Sequence, residues 1–269
     1  MSRVILALSG GSAKAAAHVG VAKAMFELGR DPAHYVGTSM GSVVAACFAA
    51  GLAYEDVLRR MIGIRRRDVA QPGTDAALGF FGTAFLRGSP LKATIARLVP
   101  ARRFAELRFP LTVTAVDRAN GELVLFGEGG RAHVPLIDAL CASCALPVYY
   151  PPVTIAGREY FDGGLRSVIP LDVAGQFGPD LLVGSYVGPL LYAEPADKPA
   201  PLPALVRIAG DVLRIAMAAQ AEAEMARWKD RAIIIRPRMD AEATFAVNRV
   251  AEFVGEGYQA AMQILTPDP

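Results

Sequence analysis

Short apolar runs recur along the chain, each followed by a longer stretch of helical composition. Residues 4–9 (VILALS) are the first, and their glycine-rich end reads as the close of a buried strand. Residues 13–29 (AKAAAHVGVAKAMFELG) read as a helix that stops at Gly29, a residue suited to ending a helix. A second strand is predicted at 34–38 (HYVGT), and a small-residue helix from Ser39 to near Gly51. Strand, helix, strand, helix with short connections predicts parallel strands and right-handed crossovers. Residues 110–129 read as two strands around the turn Ala119-Asn120-Gly121, and 135–147 as a buried helix stopped by Pro147. Residues 153–164 read as a hairpin running into an Asp-Gly-Gly turn. Two more buried strands at 180–187 and 232–237, and helices around 203–228 and 242–265, complete an α/β pattern. Only 68–90 and the proline-rich 188–203 stand outside the alternation. No internal repeat or domain boundary interrupts the chain, which reads as one domain over 1–269.

Composition narrows this little. Hydrophobic residues make up 53% of 269 residues, enough for a sizeable core, and a net charge of +2 gives no general case for nucleic acid. Cys47, Cys141 and Cys144 lie in apolar runs without disulfide-framework or zinc-ligand spacing, which points to a reducing, cytoplasmic setting. The N-terminal apolar run is too short for a signal-peptide core, and no stretch approaches a membrane span.

The chemistry starts at "VGTSMGSVVAACFAAG", residues 36–51, where Gly37-x-Ser39-x-Gly41 sits between a strand and a helix. This is the form of a nucleophile elbow, a turn so tight that flanking side chains would clash. The serine would stand at a helix N-terminus, where unpaired amides favour developing negative charge. Taken alone, the pattern also reads as a plain turn.

A serine needs a base. The three histidines, His18, His34 and His133, give no Ser-acid-His order, and none follows residue 133. His18 reads as a packed helix residue, and His34 and His133 as bland positions. Asp162 in "YFDGGLRSVIP" is the other charged residue at a glycine turn. Asp-Gly is common in turns, but partial burial would raise the carboxyl into a basic range. "LSGGSAKAAAHVG" (8–20) could aim the amides of Gly10, Gly11 and Ser12 at an oxyanion. Lys14 adds positive charge there, or is simply an exposed first-turn lysine. The loop fits neither of the common nucleotide-binding glycine patterns.

Taken together and in order, these three glycine motifs resemble the patatin-like phospholipase family. "HVGVAKAMFELG", "CASCALPVYYPPVTIAGREYFDGGL", "IPLDVA" and "EFVGEGYQAA" extend the resemblance over nearly the whole chain. The resemblance implies a three-layer α/β/α hydrolase with a Ser-Asp dyad. Ser39 would be the nucleophile, Asp162 the base, and Gly10, Gly11 and Ser12 the oxyanion loop, with no metal or organic cofactor. The family pattern has a third glycine, then Arg or Lys, then Gly, where this chain has Ser12, Lys14 and Ala15. Lys14 keeps the cation, whereas Ser12 and Ala15 add β-carbons to a tight loop.

The implied substrate is a phospholipid or another fatty-acyl ester. "LGFFGTAFL" (78–86) follows the arginine-rich "RRMIGIRRRD" (59–68), and Phe80, Phe81 and Phe85 are candidate acyl-chain contacts in a rim over 68–90. Such a loop suits peripheral contact with an anionic membrane, but the residues themselves read better as a solvated helix face followed by a buried loop. An acyltransferase and a catalytically impaired lipid-binding or interaction protein are the competing functions.

Overall fold

A computed structural model describes residues 2–72, 84–190, 204–239 and 246–266. Its strands are β1 (Val4–Leu8), β2 (His34–Thr38), β3 (Leu111–Asp117), β4 (Leu123–Gly127), β5 (Val153–Ile155), β6 (Arg158–Asp162), β7 (Leu181–Ser185) and β8 (Ile233–Ile235). Its α-helices are α1 (Ala17–Glu27), α2 (Met40–Ala49), α3 (Tyr54–Ile62), α4 (Arg66–Val69), α5 (Gly88–Leu98), α6 (Leu136–Ser143), α7 (Leu171–Gly175), α8 (Ala204–Trp228) and α9 (Val250–Leu265).

One sheet runs in the order β5-β6-β3-β2-β1-β7-β8, with β4 also paired to β3. Pairing is parallel from β3 through β2, β1 and β7 to β8, and antiparallel around β4, β5 and β6. The mostly parallel sheet expected from the alternation is present. The layers follow from the two-residue period of the strands. In β1, Val4, Leu6 and Leu8 join one core cluster with α1, α2 and α9, whereas Ile5 and Ala7 join a second with Leu171, Ala221 and Met225 of α7 and α8. Helices therefore cover both faces, which gives the three-layer α/β/α arrangement.

Boundaries moved at several places: the helix expected at 13–29 is a 3-10 segment over Ser12–Ala16 before α1, and the one expected at 135–147 ends at Ser143. Residues 247–249 form a short 3-10 turn and α9 begins at Val250, while 242–245 of the helix expected at 242–265 lie outside the described residues. Part of 68–90 is regular, because α5 begins at Gly88.

Candidate active site

Three segments meet at the carboxyl end of the parallel strands: the turn after β2, the end of β6, and the loop after β1. Ser39 follows the last residue of β2 and precedes α2, with φ 53° and ψ −135°. A side-chain-bearing residue in that region costs on the order of 1–3 kcal/mol, which the surroundings must impose. They do so by crowding. A β-carbon on Gly37 would come within 2.4 Å of the Ser42 Cα, and one on Gly41 within 2.3 Å of the Ser9 carbonyl. The Ser39 amide donates to Ser143 Oγ at 2.8 Å, and Ser42 Oγ donates to the Ser39 carbonyl at 2.6 Å.

Register brings Asp162 to the same place. β3 pairs with β4 over most of its length, so β2 and β6 must share its other edge. Thr38 pairs with Thr114, and Asp162 pairs with the next residue, Ala115. The end of β6 therefore abuts the end of β2, one residue before Ser39. Thr38 Oγ1 lies 2.7 Å from Thr114 Oγ1 and donates to the Ser167 carbonyl at 2.9 Å, which ties in the loop after Asp162.

Asp162 is only 2% exposed. Burial pushes its carboxyl from 3.8 up to about 7, against the opposing pull of hydrogen bonds from the Ser39 side chain and the Gly164 amide. The Gly164 amide donates to Oδ1 at 2.8 Å. Near neutral pH this carboxylate can take a proton, and the serine hydroxyl is within its hydrogen-bonding reach.

The histidines are engaged elsewhere. His18 Nε2 donates to the Ser9 carbonyl at 2.9 Å, which makes Nδ1 the acceptor from Ser185 Oγ at 2.7 Å. His34 Nε2 meets Thr112 Oγ1 at 2.9 Å, and His133 is exposed. Burial lowers both His18 and His34 to about 4, so each is neutral at pH 7.

The loop after β1 corrects two expectations. The Gly10 amide already donates to the Val168 carbonyl at 2.9 Å, so it is committed elsewhere. Gly10 serves instead by lacking a side chain, since a β-carbon there would sit 3.1 Å from Ser39 Cβ. Among the described residues, neither the Gly11 nor the Ser12 amide has an acceptor within the protein. Lys14 is buried rather than exposed on a first turn, because the loop folds into a 3-10 segment packed beneath α9. Ser12 has φ 51°, so the serine occupies a backbone position that favours glycine.

Several neighbours were not legible in the sequence. Ser143 and Cys144 come from the end of α6, and burial together with the Asp162 charge pushes the Cys144 thiol well above its usual range. It is therefore a neutral wall and no competing nucleophile. Gln220 and Glu224 of α8 clamp the loop after Asp162. Gln220 Nε2 donates to the Arg166 carbonyl at 2.7 Å, its Oε1 accepts from the Val168 amide at 3.1 Å, and Glu224 accepts from Ser167 Oγ and the Asp172 amide. The signal was their i, i+4 spacing beside the buried Ala221 and Met225, on a helix that otherwise looks solvated.

Of the expected rim, Phe80 and Phe81 lie outside the described residues. Phe85 is half-buried against the larger core cluster, and its amide donates to the Val148 carbonyl at 3.0 Å. Val148, with φ 73°, belongs to the strained segment leading from α6. The three cysteines are buried and free. Among the described residues, no group of three or more His, Cys, Asp or Glu side chains could hold a metal ion, and no helix is long and apolar enough to cross a membrane.

Comparison with known proteins adds four findings. A family model described as patatin-like phospholipase matches residues 6–174. An uncharacterized NTE family protein of Mycobacterium bovis is 31% identical over 201 residues, covering 72% of this chain and 52% of the relative. The chain thus spans about half the length of that relative. The omega-hydroxyceramide transacylase of Mus musculus is 31% identical over 145 residues, covering 52% of this chain and 23% of the relative. Among solved structures, VipD of Legionella pneumophila has a similar fold, with a TM-score of 0.52 at 16% identity, over 98% of this chain and 66% of that one.

Proposed function

The chain belongs to the patatin-like phospholipase family, and from that premise we propose that it is a lipid acyl hydrolase working through a Ser39–Asp162 dyad. The observation that carries this reading is the strained Ser39 at the start of α2, within hydrogen-bonding reach of a buried carboxylate raised to about 7.

Each group has one task. Ser39 Oγ attacks the ester carbonyl carbon while its proton passes to Asp162. The developing oxyanion takes hydrogen bonds from the Gly11 and Ser12 amides, assisted by the N-terminus of α2. Collapse of the tetrahedral intermediate breaks the ester C–O bond, and the Asp162 proton goes to the departing alkoxide. Water then attacks the acyl-serine, giving its proton to Asp162, and a second collapse releases the fatty acid and returns that proton to Ser39. The tight turn at Gly37 and Gly41 acts as a nucleophile elbow, holding Oγ clear of the backbone. The substrate class is a phospholipid or other fatty-acyl ester, and Phe85 belongs to its apolar rim.

Acyl transfer is the second reading, favoured by the similarity to a protein named as a transacylase. An acceptor alcohol would replace water in the second half-reaction without changing the dyad. Hydrolysis of a panel of acyl esters by the wild type and Ser39→Ala tests the main reading. Free fatty acid as the product, with acceptor alcohols present, supports hydrolysis, whereas a new ester supports transfer.

A further inference from the structure

The peptide unit that joins Ser9 to Gly10, just past the end of β1, is gripped on both sides. Its amide donates to the Val168 carbonyl at 2.9 Å, and its carbonyl accepts from His18 Nε2 at 2.9 Å. A peptide unit is planar, so two bonds on opposite sides fix its rotation. Only the two backbone angles of Gly10 separate it from the unit that carries the Gly11 amide. Glycine restricts those angles little, so the aim of that amide must be set by partners outside the loop. The following unit is held separately, because the Gly11 carbonyl accepts from the Lys14 amide at 3.1 Å.

His18 is itself locked in place. It lies in the first turn of α1, fully buried, and Ser185 Oγ meets its Nδ1 at 2.7 Å. The hydroxyl donates to Nδ1, which leaves the ring proton on Nε2 and aims it at Ser9. Burial lowers the imidazole to about 4, so it holds this neutral form at pH 7. The end of β7 that carries Ser185 grips Ser9 twice more. The Ser9 amide donates to the Ser185 carbonyl at 3.1 Å, and the Val187 amide donates to Ser9 Oγ at 2.8 Å. On another side the Ser9 carbonyl faces α2, where a β-carbon on Gly41 would come within 2.3 Å of it. The same carbonyl oxygen therefore meets both His18 and the helix that begins after Ser39. A polar ring at a wholly buried position costs desolvation that an aliphatic side chain would not, and here it satisfies a group of the oxyanion loop.

We infer that His18 is a positioning residue, whose Nε2–H holds the Ser9–Gly10 peptide unit and so aims the Gly11 amide at the oxyanion that forms when Ser39 attacks. It touches neither substrate nor the reacting atoms. The consequence for catalysis rests on the acyl-hydrolase reading, whereas the hold on the loop is a separate matter of structure.

The test compares wild type with His18→Leu, His18→Gln and His18→Asn on a short soluble ester, each below its melting temperature. A glutamine amide nitrogen reaches the place of Nε2 and can donate to the Ser9 carbonyl, whereas that of asparagine reaches only the place of Nδ1. Leucine and asparagine should lower kcat by about 10- to 100-fold with KM within about threefold of wild type. Glutamine should keep kcat within about threefold. A trifluoromethyl ketone, whose carbonyl carbon is attacked by Ser39 Oγ to leave a tetrahedral oxyanion, should lose affinity by the same factor as kcat/KM across the series. A residue needed only for packing would lower the melting temperature and leave kcat and ketone affinity alone, and that result overturns the proposal. A glutamine variant no better than asparagine overturns it too, and this pair decides the matter if the leucine variant does not fold. Absence of ester hydrolysis by wild type would instead overturn the acyl-hydrolase reading. The hold on the loop is then read from the amide resonances of Gly11 and Ser12, which should shift in His18→Asn and return in His18→Gln. Resonances unmoved in His18→Asn overturn the proposal as well.

Discussion

Replacing Asp162 with asparagine should stabilise the protein while disabling it. Asparagine keeps the shape of the side chain, its Oδ1 can still accept from the Gly164 amide, and its Nδ2 can donate to Ser39 Oγ. What it removes is a negative charge that burial penalises. The carboxyl titrates near 3.8 when unfolded and at about 7 when folded, so between those values the unfolded chain has already released a proton that the folded chain retains. Wild-type stability therefore falls as pH rises through that window, by up to about 1.4 kcal/mol per pH unit, and levels off above 7. The full span corresponds to about 4 kcal/mol at most, and a realised gain of about 2–4 kcal/mol would raise the melting temperature by about 5–10 °C. Urea unfolding of both proteins from pH 4.5 to 8.5 measures the difference. The gap should be small at pH 4.5, widen to about pH 7 and then hold, while ester hydrolysis at pH 8.5, where the wild-type carboxyl is ionised, drops at least about 10²-fold. A variant no more stable than wild type at pH 8.5, or a gap that ignores pH, would refute the desolvation argument.

Other outcomes follow from the same geometry. The pH profile of kcat/KM should rise through an apparent value near 7, because the base acts as the carboxylate, and a plateau reaching down to pH 5 would contradict that assignment. Ser12→Gly should leave stability within about 1 kcal/mol and hydrolysis equal or faster, since glycine suits the positive φ and the amide remains; a loss beyond about tenfold would show that the serine side chain is needed. Gln220→Leu should cost about 1–3 kcal/mol and lower kcat more than it raises KM, because it leaves the Val168 amide and Arg166 carbonyl without their partner next to the Asp162 turn; an unchanged kcat would remove the clamp from the account.

The sequence was most legible where local geometry alone decides. Gly37 and Gly41 flank the turn because β-carbons there would collide with backbone, and β2 has the bounds expected of it, His34–Thr38. The hairpins around Asn120-Gly121 and before Asp162 were equally local. Long-range pairing was not legible. Nothing near Gly10 reveals that its amide is spent on Val168, or that Lys14 is covered by packing against a distant helix. Beyond their spacing, nothing near Gln220 and Glu224 singles them out, because their partners, the loop at 166–172, lie in another part of the chain. The opposed faces of α8 blurred its amphipathic signal, since apolar residues recur on the inner side and the outer side alike. Asp162 shows both limits at once. Its turn was visible, but its proximity to Ser39 depends on β2 and β6 sharing one edge of β3, a fact of sheet topology.

The most direct test of the dyad is covalent labelling by a fluorophosphonate, followed by intact mass and peptide mapping. Wild type should gain one adduct, located on Ser39, Ser39→Ala should gain none, and Asp162→Asn should label at least about 10²-fold more slowly while remaining folded. Equal labelling of the Ser39→Ala protein, or an adduct mapped to any other residue, would contradict the account.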